Sequence, residues 1–195
     1  MDHLKKLEKL RVFTRSDIRK IGLPRSLFYK LIQDEKIEKL AHGFYLYTGT
    51  SNIEPEELDF IVACKKFGEN SVIGGLSALA YYNLIEEIPH QIWVLVPDSK
   101  QTTNKFYRLI RTKYSSSSIG IEKHAYYKIT TLERTLVEAL LYASKIGLDT
   151  AIGAIVKAVK SKQTSLSKIG NMAERMNKKN VIKKHWLSIN GAISS

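Results

Sequence analysis

An α+β chain is the fold class this sequence predicts: an N-terminal winged helix-turn-helix followed by an α/β domain with a helical C-terminal tail. Three observations predict it. Within residues 1–50 two helical stripes flank a glycine-proline turn and run into a glycine-centred hairpin. A small polar stretch, Thr48-Gly49-Thr50-Ser51-Asn52, is followed by helix and strand patterns in alternation. The last 45 or so residues read as basic amphipathic helices. The expected domains are therefore 1–50 and 54–195, the second helical and basic from about residue 145.

The first helix is expected over Leu4, Leu7 and Leu10, extending through Arg11 to Phe13, with lysines between the leucines. Thr14 can cap a second helix, and Asp17, three residues on, suits its positive end. Ile18 and Ile21 give that helix an inner face. Gly22 stands where a left-handed C-cap is wanted and Pro24 where the next helix begins. In that next helix, Pro24 to about Gln33, the residues Phe28, Leu31 and Ile32 share the inward face, which leaves Arg25, Ser26, Tyr29, Lys30 and Gln33 outward. Arginine and lysine contact phosphates or guanine, glutamine pairs with adenine, and tyrosine and serine bond backbone or base edges, so the outward set suits a helix that reads DNA. Leu23 is a poor cap, leaving the first N–H groups open to a phosphate. On an isolated helix the same residues would be an ordinary solvated face.

The hairpin changes that balance. Lys36 to Tyr47 has alternating apolar positions on both sides of His42-Gly43 and reads as a two-stranded wing. Lys39 and His42 at its tip would lie against the sugar-phosphate backbone or minor groove. A polar turn residue is the other reading of His42.

Farther on, Glu54-Pro55-Glu56-Glu57 opens a helix striped by Leu58, Ile61, Val62 and Phe67. Ser71-Val72-Ile73 leads into a helix over Leu76 to Leu84. Gln91 to Pro97 is the clearest strand, apolar enough for burial on both faces, and short strand or helix candidates follow at 105–110, 118–123 and 125–129, separated by a flexible serine tract, Ser115 to Ser118. Glu133 and Arg134 start a helix running to about Ser144, where Arg134 is expected to form a buried or half-buried ion pair tying the helix to the strand layer, a ligand contact being the other reading. The single cysteine, Cys64, is expected to fill a core position.

Charge points to the class of partner. With 31 Lys and Arg against 19 Asp and Glu the net charge is +12, which favours a polyanion such as nucleic acid. Residues 1–50 carry +5, residues 51–99 carry −6 and residues 100–195 carry +13. Two separate basic surfaces are expected. The tail lysines, from Lys157 to Lys184, are a solvated face, a second phosphate contact, or an RNA or acidic-protein contact. No apolar stretch approaches the roughly 20 residues of a membrane span, and no export signal opens the chain, so a cytoplasmic protein with no membrane association is expected.

Enzyme chemistry finds no support in the motifs. Gly74-Gly75-Leu76-Ser77 is followed by no acid until Glu86, so the paired metal-holding carboxylates of a nucleotidyltransferase are missing. Pro97-Asp98 is followed by no nuclease-type Glu-x-Lys or Asp-x-Lys, and no Gly-x-Ser-x-Gly occurs. His90, His124 and His185 are scattered and read as structural or surface residues. No catalytic residue, metal site or cofactor is expected.

Several segments resemble the AbiEi family of antitoxins. They are Phe13-Thr14-x-x-Asp17, Leu27-Phe28-Tyr29-Lys30-Leu31-Ile32 and Ile37-Glu38-Lys39-Leu40-Ala41-His42-Gly43-Phe44-Tyr45, followed by Leu76 to Leu84 and by Ile129 to Glu138 with its Glu-Arg-Thr-Leu-Val run. The sequence departs from the family at Asn83, where glycine is common, at Glu138, where aspartate is common, and at Lys30 and Lys39, where arginine is commoner. The resemblance implies a winged-helix autorepressor of a type IV toxin–antitoxin system. Such a protein binds inverted repeats in its promoter and neutralises a nucleotidyltransferase-like toxin, typically without a stable complex. The alternative expectation is a protein- or RNA-binding interaction module without sequence-specific DNA binding.

Overall fold

The computed structural model describes residues 2–49, 54–97, 99–112 and 119–194, so Thr50 to Asn52 of the polar stretch, Asp98, and Ser115 to Ser118 lie outside the described residues. The chain divides into two compact units, residues 1–62 and 63–195.

In the first unit α1 (Asp2–Leu10) leads to β1 (Val12–Thr14), α2 (Arg15–Lys20), α3 (Arg25–Gln33), β2 (Ile37–Ala41) and β3 (Phe44–Tyr47). The expected helix through Phe13 is corrected here. Arg11 has φ +58°, which ends α1, and the extended Val-Phe-Thr segment pairs antiparallel with β3 in the register Val12↔Leu46. The sheet order is β1-β3-β2, so β3 is the centre of the unit. Its core joins Leu7, Phe13, Ile18, Leu23, Phe28, Leu31, Ile37, Tyr45 and Tyr47.

Local chemistry sets the turns. The Thr14 hydroxyl accepts from the Asp17 amide and the Asp17 carboxylate accepts from the Thr14 amide, a complete capping box. At the other end of α2 the Leu23 amide reaches the Ile18 carbonyl and the Gly22 amide the Arg19 carbonyl, a Schellman closure with Gly22 at φ +68°.

The second unit is built on a mixed sheet of order β6-β5-β4-β8-β7: β4 (Val72–Ile73), β5 (Ile92–Val96), β6 (Tyr107–Arg111), β7 (Ile121–Lys123) and β8 (Lys128–Thr130). The helix α4 (Pro55–Phe67) contains the division between the units. β5 is buried from Trp93 to Val96, as its apolar run requires, pairing parallel with β6 and antiparallel with β4. α5 (Gly75–Tyr81) starts closer to β5 than a side chain permits: a Cβ on Gly74 would collide with Leu95, and one on Gly75 would collide with Trp93. The Trp93 amide donates to the Ser77 hydroxyl at 2.9 Å. The Gly-Gly-Leu-Ser segment is thus explained by packing.

α6 (Leu132–Leu141), α7 (Ala143–Ile146), α8 (Leu148–Lys160), α9 (Leu166–Arg175) and α10 (Lys179–Ser194) complete the unit. Their shared core includes Leu136, Ile155, Ile169, Met172, Ile182 and Ile189. Arg134 and Glu138 are both fully buried and paired at 2.9 Å, and the Arg134 Nη1 also donates to the Ile119 carbonyl at 2.7 Å, which ties α6 to the segment entering β7. Cys64 is buried, and burial pushes its thiol pKa up, as befits a core filler.

Candidate nucleic-acid interface

α3 has two faces because its residues advance about 100° each. Phe28 and Leu31 sit at the centre of the apolar stripe and are buried, while Leu27 and Ile32 fall on its two flanks. That geometry corrects one expectation: Ile32 was placed on the inward face, yet it is 36% exposed because it stands at the stripe's margin. The opposite face carries Arg25, Ser26, Tyr29, Lys30 and Gln33, all exposed. Arg25 lies over the Tyr29 ring at 5.7 Å, an arrangement that fixes both side chains at one end of the face.

The helix begins at Arg25 with Pro24 as its cap, in place of the expected Leu23, and no side chain bonds the first turn. The proline side chain has no oxygen to offer, so the first amides of that turn are left as donors suited to an anion.

Lys39 and His42 are exposed on the wing. The hairpin turns at His42-Gly43, where Gly43 takes φ +82°, and a bulge at Leu40 shifts the register between Lys39↔Tyr45 and Ala41↔Phe44. At the wing's base the Thr48 hydroxyl donates to the Glu35 carbonyl at 2.8 Å and the Thr48 amide to the Lys36 carbonyl at 3.0 Å. These bonds clamp β3 to the segment that leaves α3.

Tyr45 joins these parts. Its ring meets Phe28 of α3 edge-on at 5.2 Å and stacks with Phe13 of β1 at 6.0 Å, and its backbone stands opposite Lys39 of β2. Its hydroxyl accepts from Arg15 Nε at 3.3 Å. The Arg15 guanidinium, exposed on α2, is held above its ordinary pKa, first by this hydrogen bond and then by the charge interactions with Tyr45 and Tyr29. Sequence reasoning missed Arg15 as a member of this surface. Its contact is with a residue 30 positions away, and only its exposed place at the start of a helix hinted at it.

Comparison with known proteins fits this geometry. Residues 4–48 match the family model described as "Transcriptional regulator, AbiEi antitoxin". The likeness to AbiEi antitoxins thus lies in the N-terminal unit. The matched AbiEi stretch runs from α1 through the wing and includes every residue of the α3 face. No curated protein matches the chain at a significant level. Among solved structures, the crystal structure of the RV2827C protein from Mycobacterium tuberculosis is similar with a TM-score of 0.54 at 14% identity, covering 89% of this chain and 70% of that one. At that identity the likeness is one of fold.

Outside this unit, His124 stacks on Tyr127 at 4.4 Å, and its Nε2 lies 3.1 Å from a Glu122 carboxylate oxygen. Among the described residues no group of three or more His, Cys, Asp or Glu side chains is placed to hold a metal ion, and no helix is long and apolar enough to cross a membrane.

Proposed function

We propose that the protein is a DNA-binding transcriptional regulator and antitoxin that represses its own promoter, acting in the cytoplasm beside a nucleotidyltransferase-like toxin. The observation that carries this reading is the outward face of α3, five polar or basic side chains on a helix whose other face is locked in the AbiEi-matched core. On this reading α3 enters the major groove, with Gln33 and Ser26 at the centre of the reading face and Arg25, Tyr29 and Lys30 around them. The uncapped first turn of α3 receives a phosphate, while Lys39 and His42 bring the wing to the backbone. Arg15 adds a further phosphate contact beside the helix. The exposed lysines of α8 to α10 supply affinity without sequence information.

The test is binding to a labelled duplex of the DNA upstream of the protein's own gene, at several salt concentrations, against a scrambled competitor. Tight, salt-sensitive and sequence-selective binding is expected. The double variant Lys30→Ala, Gln33→Ala should lose discrimination between the two duplexes, because each base contact contributes roughly 1–3 kcal/mol of selectivity. Lys39→Ala should weaken binding to both duplexes alike and flatten the salt slope by about one unit. Equal binding of both duplexes by the unaltered protein, or intact discrimination in the double variant, overturns the groove assignment.

A further inference from the structure

We infer that the second unit carries a binding pocket for a compact polyphosphate, such as the phosphate chain of a nucleotide, at the open edge of its sheet. The pocket has a volume of about 480 Å³, within the range of small-molecule sites, and wraps around β6. Among the described residues β6 is the last strand of the sheet and pairs only with β5. The Ile92 amide donates to the Phe106 carbonyl and the Thr112 amide to the Val96 carbonyl, which fixes the phase of the parallel ladder. Alternate residues in such a ladder turn both backbone groups to the same neighbour. Arg108 and Ile110 therefore bond toward β5, and the Leu109 and Arg111 amides face the open side, with no acceptor among the described residues.

Three cations flank these amides. Arg108 stands opposite Trp93 in register, with its guanidinium 5.9 Å from the indole ring. Lys145 reaches the same face from α7, where its ammonium lies 5.9 Å from the Tyr142 ring, and Tyr142 packs on the cluster that contains Trp93. Arg111, three residues beyond Arg108, projects from the other face of the strand, and its Nε donates to the Lys100 carbonyl at 3.4 Å. Gln101 and Thr102 close one end with polar groups.

The chemistry selects the ligand. Among the described lining residues there is no carboxylate, and none of the three cations has an ion-pair partner there. The aromatic contacts hold Arg108 and Lys145 in place without neutralising them, and a guanidinium offers paired N–H groups suited to phosphate oxygens. Three positive charges around two outward-facing amides match a ligand carrying two or more negative charges within a few ångströms. Extended single-stranded nucleic acid spreads its charges more widely and does not concentrate them in one pocket.

The experiment is calorimetric titration of the full chain with pyrophosphate, with ATP and with a short single-stranded oligonucleotide, at about 0.15 M salt so that diffuse attraction is screened. Saturable binding of pyrophosphate and ATP is expected, weakened roughly tenfold or more in Arg108→Gln and in Arg111→Gln, with Lys145→Gln as a third variant on a different element. All three side chains are exposed, so the variants should retain the parent thermal melt. Failure of pyrophosphate and ATP to saturate, affinity unchanged in the variants, or binding of the oligonucleotide alone each overturns the assignment. Duplex binding by the α3 face is read separately, so the two proposals stand or fall on different measurements.

Discussion

Replacing Arg134 by methionine removes one half of a buried charge pair and leaves the other half in place. Glu138 is fully buried, its Oε1 accepts from Arg134 at 2.9 Å, and its Oε2 has no hydrogen-bond partner among the described residues. Methionine approximates the volume of the arginine stem, so packing changes little while the carboxylate loses its counter-charge and Ile119 loses a donor. Stranding a buried charge in this way costs about 3–5 kcal/mol. For a chain of this length that corresponds to a fall in Tm of roughly 6–20 °C. Both tryptophans, Trp93 and Trp186, lie in the second unit, so indole fluorescence during urea or thermal unfolding follows the unit that contains the pair. The double variant Arg134→Met, Glu138→Met should recover most of the loss, since an apolar pair of similar volume removes the uncompensated charge.

The same reasoning fixes a pH dependence. Burial pushes the Glu138 pKa above the usual carboxylate range, and Arg134 opposes the rise. In the folded chain Glu138 therefore keeps a proton at pH values where the unfolded chain has released it. Its contribution to stability is complete below the unfolded carboxylate pKa of about 4.3 and declines as pH rises through the folded value. Without Arg134 the folded pKa climbs further. The cost of Arg134→Met should accordingly shrink on acidification and grow toward neutral pH. A cost below about 1 kcal/mol, or one that shrinks as pH rises from the acid side, would refute the account of a charge stranded by the loss of its partner.

Two smaller perturbations probe the frame around the proposed sites. Thr14→Ala removes the hydroxyl that caps α2 and should cost about 1 kcal/mol, seen as faster amide exchange at Asp17, whose N–H loses its acceptor. Gly74→Ala drives a methyl into Leu95 and should cost roughly 1–3 kcal/mol, with a change in Trp93 fluorescence as α5 is pushed away from β5.

What could be read in the sequence was local chemistry. Thr14 with Asp17, Gly22 before Pro24, and Gly43 in the wing each satisfy a backbone demand within a few residues, and each signals itself by residue type. Phe28 and Leu31 declared the buried face of α3 in the same way, so the five outward residues followed. β1 was misread because Val12-Phe13-Thr14 is a strand only by pairing with β3, 30 or more residues later. β4, two residues long, exists by virtue of its neighbours β5 and β8. Ile32 was misplaced because an apolar side chain at a stripe's margin is indistinguishable in sequence from one at its centre. Arg108, Arg111 and Lys145 were invisible as a group, since a sheet edge and the helix over it bring them together across 37 residues.

The position of Tyr45 explains why α3 and the wing are suited to act as one reading surface. A recognition helix and a hairpin that moved independently would each have to be ordered on binding, at about 0.5–1.5 kcal/mol per immobilised side chain before any contact is made. Here the central strand β3 carries Tyr45 between the wing and Phe28 of α3, the Tyr45 hydroxyl holds Arg15 of α2, and Thr48 fastens the same strand to the end of α3. The apolar face of α3 is therefore held against the strand that also forms half of the wing. Displacing one part exposes the buried ring shared by both. The polar groups on the outer surface can then be few and weakly tethered, because their spacing is fixed by the core behind them and not by contacts among themselves.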